Sequence, residues 1–406
     1  MNQNFSSKEL KRHLKKGELY RNDIKEEDLI TELSEIENKI INQNFTFNIK
    51  SNDSYYFVED IPEKLVLRKL NDNIKRIYKD EQANRKFVIQ QIKTLFTENA
   101  PFWIIKTDIK SFYESIDRNK VIEKLKNDAM LSYYSISLIN TIFNNSPINS
   151  SNGLPRGINL SSTLSEIYMR KFDKWIQRHI DVYYYARFVD DIVIFVSNKD
   201  SALNMFNSLD EKLKEFTSSL IINKQKTELF DGNTLKRIKS RTIKKNRKNN
   251  IEFLGYNFFV SEDSSKKEKK ITVSIAEKKV KKIKTRIINT YLDFCKNNDY
   301  DLLEKRVKFL TGNYGINKNS DDSILKAGIY YNYSHLNNND ILNELNVFHR
   351  RVIYSKKNNF GSKINSSLSL IQKQRLKKYC FNSGFHNKTY NSFKYQEMGE
   401  ITNCWK

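Results

Sequence analysis

Three cysteines, five histidines and no apolar run long enough to cross a bilayer are what this 406-residue sequence conspicuously does without. Cys295, Cys380 and Cys404 stand far apart, so they offer neither a metal-ligand spacing nor a disulfide framework, and a reducing cytoplasm is the expected compartment. The histidines (His13, His179, His335, His349 and His386) are scattered, which leaves no Cys/His zinc site and no paired-histidine nuclease motif. Without a stretch of about 18 apolar residues, no membrane span is expected. The charged Lys8 to Lys16 segment does not read as a secretory signal. No internal repeat is visible.

What the chain has instead is positive charge. A formal net charge of +23 points to a polyanionic partner, nucleic acid being the simplest. The excess is uneven: residues 231–290 hold 18 Lys and Arg against 6 Asp and Glu, a net of +12 and about half the total. A run so lopsided repels itself unless a counter-ion answers it. Aromatic residues, 12% of the chain, add surfaces on which bases can stack.

Negative charge is concentrated where chemistry needs it. Tyr183 to Val196 reads as a β-hairpin with Asp190 and Asp191 at its tip, flanked by apolar and β-branched residues. Adjacent carboxylates at a tight turn repel, and a divalent metal is the natural compensation, although an exposed Asp-Asp turn is ordinarily just solvated. Some eighty residues upstream, Pro101 can open a strand that Phe102 to Ile105 fill and Asp108 ends, with Phe112 and Tyr113 following. Taken alone, Asp108 also suits a helix N-cap. Together the three carboxylates make the ligand count for two Mg²⁺ ions about 4 Å apart. Between these elements, Asn152-Gly-Leu-Pro-Arg-Gly-Ile feeds a helix from Ser161 to about Ile180, with Leu160, Leu164, Ile167, Phe172, Trp175 and Ile176 on one face. Gly153 and Gly157 permit close backbone approach to a ligand.

The order of these elements resembles the reverse transcriptase family. Two further matches follow in sequence: Leu220 to Thr227, like the palm motif ending in Lys-Thr, and Phe253-Leu-Gly, like the hairpin at the palm–thumb junction. The resemblance covers roughly residues 60 to 260. Arg156 stands where retroviral members usually have Gln, Ser162 where they have Pro, and Phe188 where they have Tyr. Those variants are similar to the bacterial defence-associated and abortive-infection members. The opening Asn2-Gln-Asn-Phe-Ser6 and Leu310-Thr-Gly-Asn-Tyr314 are closest to the smaller enzyme of two-polymerase (type 3) systems.

The resemblance implies an α+β right-hand polymerase fold with an antiparallel-sheet palm, interleaved fingers and a helical thumb. Expected boundaries are a helical N-terminal extension at 1–55, fingers and palm at 56–260, and a basic thumb with a C-terminal region at 261–406. Arg237 to Asn250 is expected to be a loop, the pattern to turn helical from about 265, and a basic helix at Ile275 to Phe294 to follow a duplex. The resemblance further implies that Asp108, Asp190, Asp191 and the Ile109 carbonyl hold two Mg²⁺, or Mn²⁺, and that Lys226 protonates or holds the leaving pyrophosphate. Lys79 and Arg85 are the candidate triphosphate clamp, in competition with Arg68, Lys75 and Arg76; Arg156 and Gly157 line the nucleotide site. Tyr113, five residues after Asp108, would collide with a ribose 2′-hydroxyl and so select dNTPs. Implied partners are an RNA template or non-coding RNA, the DNA product and a second reverse transcriptase. Template-independent or protein-primed synthesis and a non-catalytic nucleic-acid scaffold stand as alternatives. No ribonuclease H signature is present.

Overall fold

The computed structural model describes residues 2–53, 55–79, 82–240, 249–263, 268–317 and 324–405. They fall into two units, Met1–Gln91 with Glu98–Lys248, and Ile92–Thr97 with Asn249–Lys406.

The first unit is organised by a five-stranded antiparallel sheet in the order Val182–Phe188, Asp191–Val196, Trp103–Asp108, Glu228–Asp231, Arg237–Ser240. Its central strands bury apolar residues on both faces, Ile104, Val193, Phe195 and Phe230 on one and Ile105, Ile192, Ile194 and Leu229 on the other. Ile105, Ile192, Ile194 and Leu229 join the core shared with the helices Asn159–Gln177 and Lys199–Thr217. On the other face Phe195 stacks on Phe102 at 5.7 Å and meets the edge of Tyr184 at 5.5 Å. The long helix buries Leu160, Leu164, Ile167, Phe172 and Ile176 as its spacing predicts.

The N-terminal segment forms the helices Ser7–Lys11, Glu18–Arg21 and Glu26–Ile41, then a hairpin of Ile49–Asn52 with Tyr55–Val58. Leu29, Leu33, Ile36 and Ile40 are buried as a stripe, while Ile30 beside them is exposed. This segment shares its core with the helix Ile61–Tyr78.

In the second unit the strands Asn250–Phe253, Tyr256–Asp263 and Glu268–Ile275 form an antiparallel meander. Leu254 and Gly255, both at positive φ (46° and 82°), turn the first hairpin, which suits Gly and strains Leu. From 268 to 275 the chain is strand and not yet helix. Ile271, Val273 and Ile275 alternate inward and extend the sheet, and the basic helix begins at Glu277 and runs to Asn297. Nor is all of 237–250 a loop: Arg237–Ser240 is the edge strand of the first unit's sheet, and 241–248 lie outside the described residues. A small second sheet places Asn313–Asn317 between Ile324–Gly328 and Tyr390–Asn391. The C-terminal helix Tyr395–Asn403 docks on Tyr300–Thr311, and the Trp405 indole donates to the Thr290 hydroxyl (3.0 Å).

One buried hydroxyl pair fixes the central strand to the segment that carries Lys226. Thr107 and Thr227 are fully buried, their Oγ1 atoms are 2.8 Å apart, and the Thr227 hydroxyl also donates to the Asn223 carbonyl at 2.9 Å. Thr107 must therefore donate to Thr227. Thr227→Val should cost about 1–3 kcal/mol by stranding that donor. Adding Thr107→Val should recover part of the loss, and urea unfolding of the two single variants and the double variant checks this. Additive losses would contradict the pairing.

Candidate active site

Register does the first work at this site. In the antiparallel ladder Asp108 lies directly opposite Asp191, and Phe188 opposite Asp191 on its other side, so the two-residue turn between the hairpin strands is Val189-Asp190. Val189 has a φ of 61°, a region a β-branched residue enters at a cost of roughly 1–3 kcal/mol. The turn is held from two directions: Ile109 N–H donates to the Asp190 carbonyl at 3.1 Å, and an Arg187 N–H donates to the Val189 carbonyl at 3.1 Å.

Electrostatics at the tip are unfavourable. Burial, then the neighbouring Asp190 and Asp108, push the Asp191 carboxyl up to about 6. Asp190 is raised as well, by burial and by Asp108. Asp108 is 3% exposed; its Oδ2 meets the Lys226 ammonium, while its Oδ1 is buried without a hydrogen-bond partner. Burial opposes charge on Lys226, but the hydrogen bond and charge of Asp108 outweigh it and raise that pKa.

Among the described residues no three His, Cys, Asp or Glu side chains close into a ready cation cage. The Lys226 ammonium stands at Asp108 as its counter-charge. The donor set nevertheless suits a hard divalent cation: three carboxylates on adjacent backbone positions, one with an orphaned buried oxygen.

Beside the carboxylates sits a second cluster. Phe112 points into the core, whereas Tyr113 is half-buried, and burial raises its hydroxyl's pKa. The Arg156 guanidinium lies 5.9 Å from the Tyr113 ring centroid and pairs with Glu114. The loop carrying Arg156 is pinned by Arg118, which donates to the Gly153 carbonyl (2.5 Å), the Ile148 carbonyl (3.1 Å) and the Ser151 hydroxyl (2.9 Å). The close approach that the glycines allow is to the protein's own backbone. A Cβ on Gly157 (φ 97°) would lie 2.4 Å from the Tyr56 carbonyl oxygen, and one on Gly153 (φ 74°) 2.2 Å from that of Tyr113.

The clamp candidates stand at helix ends. Thr163 bonds Asn71 and Arg170 bonds the Tyr78 carbonyl, which docks the helix Ile61–Tyr78 on the long helix, and Lys79 follows it at a φ of 53°. Arg85 opens the helix Arg85–Leu95. Of the competing residues, Arg68 forks onto Glu18 (2.6 and 2.7 Å) and Arg76 pairs with Asp72 at 2.9 Å.

Sequence reasoning passed over the charges beneath the hairpin. Arg187 is buried and faces Glu166 (2.6 Å) and Asp173 (2.7 Å) on the long helix, and the Tyr185 hydroxyl also donates to Asp173 at 2.6 Å. Burial opposes its charge, yet Asp173 and Glu166 hold its pKa well above the ordinary value. A signal was available: an arginine inside an apolar strand, and two acids seven residues apart, hence on one helical face.

The model of the reverse transcriptase (RNA-dependent DNA polymerase) family matches residues 57–258. No curated protein matches the chain in sequence. Solved structures that resemble it include apo telomerase from Candida tropicalis, at 12% identity and a TM-score of 0.37, covering 95% of this chain and 60% of that one. A form of that telomerase truncated from the C-terminal domain gives 18% and 0.35, covering 59% and 49%. Telomerase from Candida albicans in complex with a TWJ fragment of telomeric RNA gives 14% and 0.35, covering 84% and 53%. The chain therefore spans about half to three fifths of the length of these proteins.

The raised Asp191 predicts a pH signature in metal-free protein. Its folded pKa of about 6 exceeds the unfolded value near 3.8, so the folded state holds the proton more tightly. Stability must then fall as pH rises from about 4 to 6, and the full penalty, roughly 2–3 kcal/mol, applies above that. Asp191→Asn should be more stable than the parent by about that amount at pH 8 in chelator, and the gap should close below pH 4. Urea titrations at the two pH values measure it; a variant less stable at pH 8 would contradict the assignment.

Proposed function

Since residues 57–258 belong to the reverse transcriptase (RNA-dependent DNA polymerase) family, and the chain is by class a nucleotidyltransferase, we propose that it extends a nucleic-acid 3′-hydroxyl with dNTPs on an RNA template. The observation that carries this reading is the register pairing of Asp108 with Asp191 beside Asp190, with the buried Asp108 Oδ1 unpartnered.

Asp108, Asp190 and Asp191, with the Ile109 carbonyl, are the residues that would hold the divalent cations. Two such ions, when bound, lower the pKa of the attacking hydroxyl and offset charge on the leaving pyrophosphate. The side chains do the remainder. With a cation held there, Asp108 would release Lys226, whose ammonium would then be available to the departing phosphate. Arg156, on a loop braced by Arg118, faces the nucleotide over the Tyr113 ring, and Tyr113 closes the space a 2′-hydroxyl would need. The helix Glu277–Asn297 buries Val280, Ile287, Tyr291 and Phe294 and turns its lysines outward, a surface suited to duplex phosphates.

The sequence variants at Arg156, Ser162 and Phe188 support a finer reading: a cytoplasmic bacterial enzyme of the defence-associated group, copying a non-coding RNA in antiviral defence.

Purified protein with Mg²⁺, labelled dNTPs and its co-purifying nucleic acid should incorporate label. Incorporation should vanish in Asp190→Ala/Asp191→Ala and after RNase pretreatment. Label that survives RNase would redirect the proposal to untemplated or protein-primed synthesis, and none at all would remove the enzymatic reading. Separately, Tyr113→Ala should use rNTPs at least about tenfold better relative to dNTPs, as steric relief of one clash permits. Unchanged discrimination would remove the gate.

A further inference from the structure

Among the described residues the strand Val182–Phe188 is an edge strand, pairing with Asp191–Val196 alone, so no second described ladder holds the outer side of the carboxylate hairpin. Arg187 replaces that ladder. All five of its N–H groups are used: Nε donates to Asp173 Oδ1 (3.0 Å), Nη2 to Asp173 Oδ2 (2.7 Å) and Glu166 Oε2 (2.6 Å), and Nη1 to Glu166 Oε1 (3.2 Å) and the Val189 carbonyl (3.1 Å). Four of these bonds anchor the guanidinium to one face of the long helix. The fifth reaches the turn.

That fifth bond lands on the peptide immediately before Asp190, and the peptide immediately after it is held by Ile109 N–H through the Asp190 carbonyl. Asp190 is thus gripped on both flanking peptides, once from the helix and once from the central strand that ends in Asp108. Two fixed peptide planes set the direction of the Asp190 side chain relative to Asp108. Without the arginine bond, Val189 in its left-handed conformation has reason to relax, and the carboxylate would swing with it.

We propose that Arg187, braced by Glu166 and Asp173, is a positioning residue that aims Asp190 for cation binding. It touches no substrate. Lysine cannot serve in its place, because a single ammonium does not present a planar fork to two carboxylates and a carbonyl at once.

The inference rests on the cation-holding reading above, so the test separates the two. Mn²⁺ uptake, read from the loss of the free aquo-ion EPR signal, is measured for the parent, Asp190→Ala/Asp191→Ala, Arg187→Lys and Glu166→Gln, with a thermal melt of each. Arg187→Lys should still melt cooperatively but bind Mn²⁺ roughly tenfold more weakly, the usual scale when a ligand's orienting partner is lost. Glu166→Gln, which keeps the Asp173 arm, should show a smaller loss in the same direction. A folded Arg187→Lys with parental Mn²⁺ affinity would overturn the inference. Should that variant fail to fold, parental affinity in Glu166→Gln would overturn it instead. A parent that binds no more Mn²⁺ than the double-alanine variant would instead sink the cation-holding reading, and this inference with it.

Discussion

Repulsion among Asp108, Asp190 and Asp191 is the constraint around which the first unit is arranged. The ladder sets two of these carboxylates directly opposite each other, and the turn adds the third. Burial makes the repulsion stronger than it would be in water, and Asp191 responds by holding its proton up to about 6. A structure selected only for stability would not keep this arrangement. Compensation within the chain is partial: Lys226 answers Asp108 at one oxygen and leaves the other buried and unpaired.

The surrounding scaffold is correspondingly stiff. Beneath the hairpin lies a buried ion cluster whose desolvation would be costly if any donor were idle, and none of the five on Arg187 is. Next to it, Arg118 spends its fork on two carbonyls and a hydroxyl, fixing the loop whose Arg156 lies over Tyr113. The Thr107–Thr227 hydroxyl pair ties the central strand to the turn that carries Lys226. Each device joins a functional side chain to an element that cannot move alone. Strain at Val189 persists for the same reason, being over-determined by bonds on both sides of Asp190.

What could be read from the sequence was what local pattern encodes. Apolar strands flanking two aspartates announce a hairpin, and the helix after the glycine loop shows its stripe at Leu160, Leu164, Ile167, Phe172 and Ile176; both stand in the structure as expected. What escaped was set by tertiary contact. Glu268–Ile275 looks like the start of a lysine-rich helix, and its strand character comes from pairing with Tyr256–Asp263. Gly157 reads as room for a ligand until Tyr56 is seen against it. Arg187 looks like an ordinary strand charge, since the sequence does not say which acids, 14 and 21 residues upstream, will face it.

Charge at two length scales then has to be reconciled. Over the whole chain a net +23 attracts a polyanion from a distance, with the excess densest in residues 231–290. Within a few ångströms of the reacting atoms the sign reverses, and three aspartates would repel a triphosphate that the rest of the protein draws in. Lys226 alone cannot cancel them, because its single charge is already committed to Asp108. Arg156, paired with Glu114, brings little net charge of its own. On the reading proposed here, Asp108, Asp190 and Asp191 would serve divalent cations as ligands instead of standing as a barrier, which would leave Lys226 available to the phosphate. The same logic explains why the hairpin must be aimed so firmly: the side chains that make the metal-free site unfavourable become its strongest ligands only when their oxygens converge.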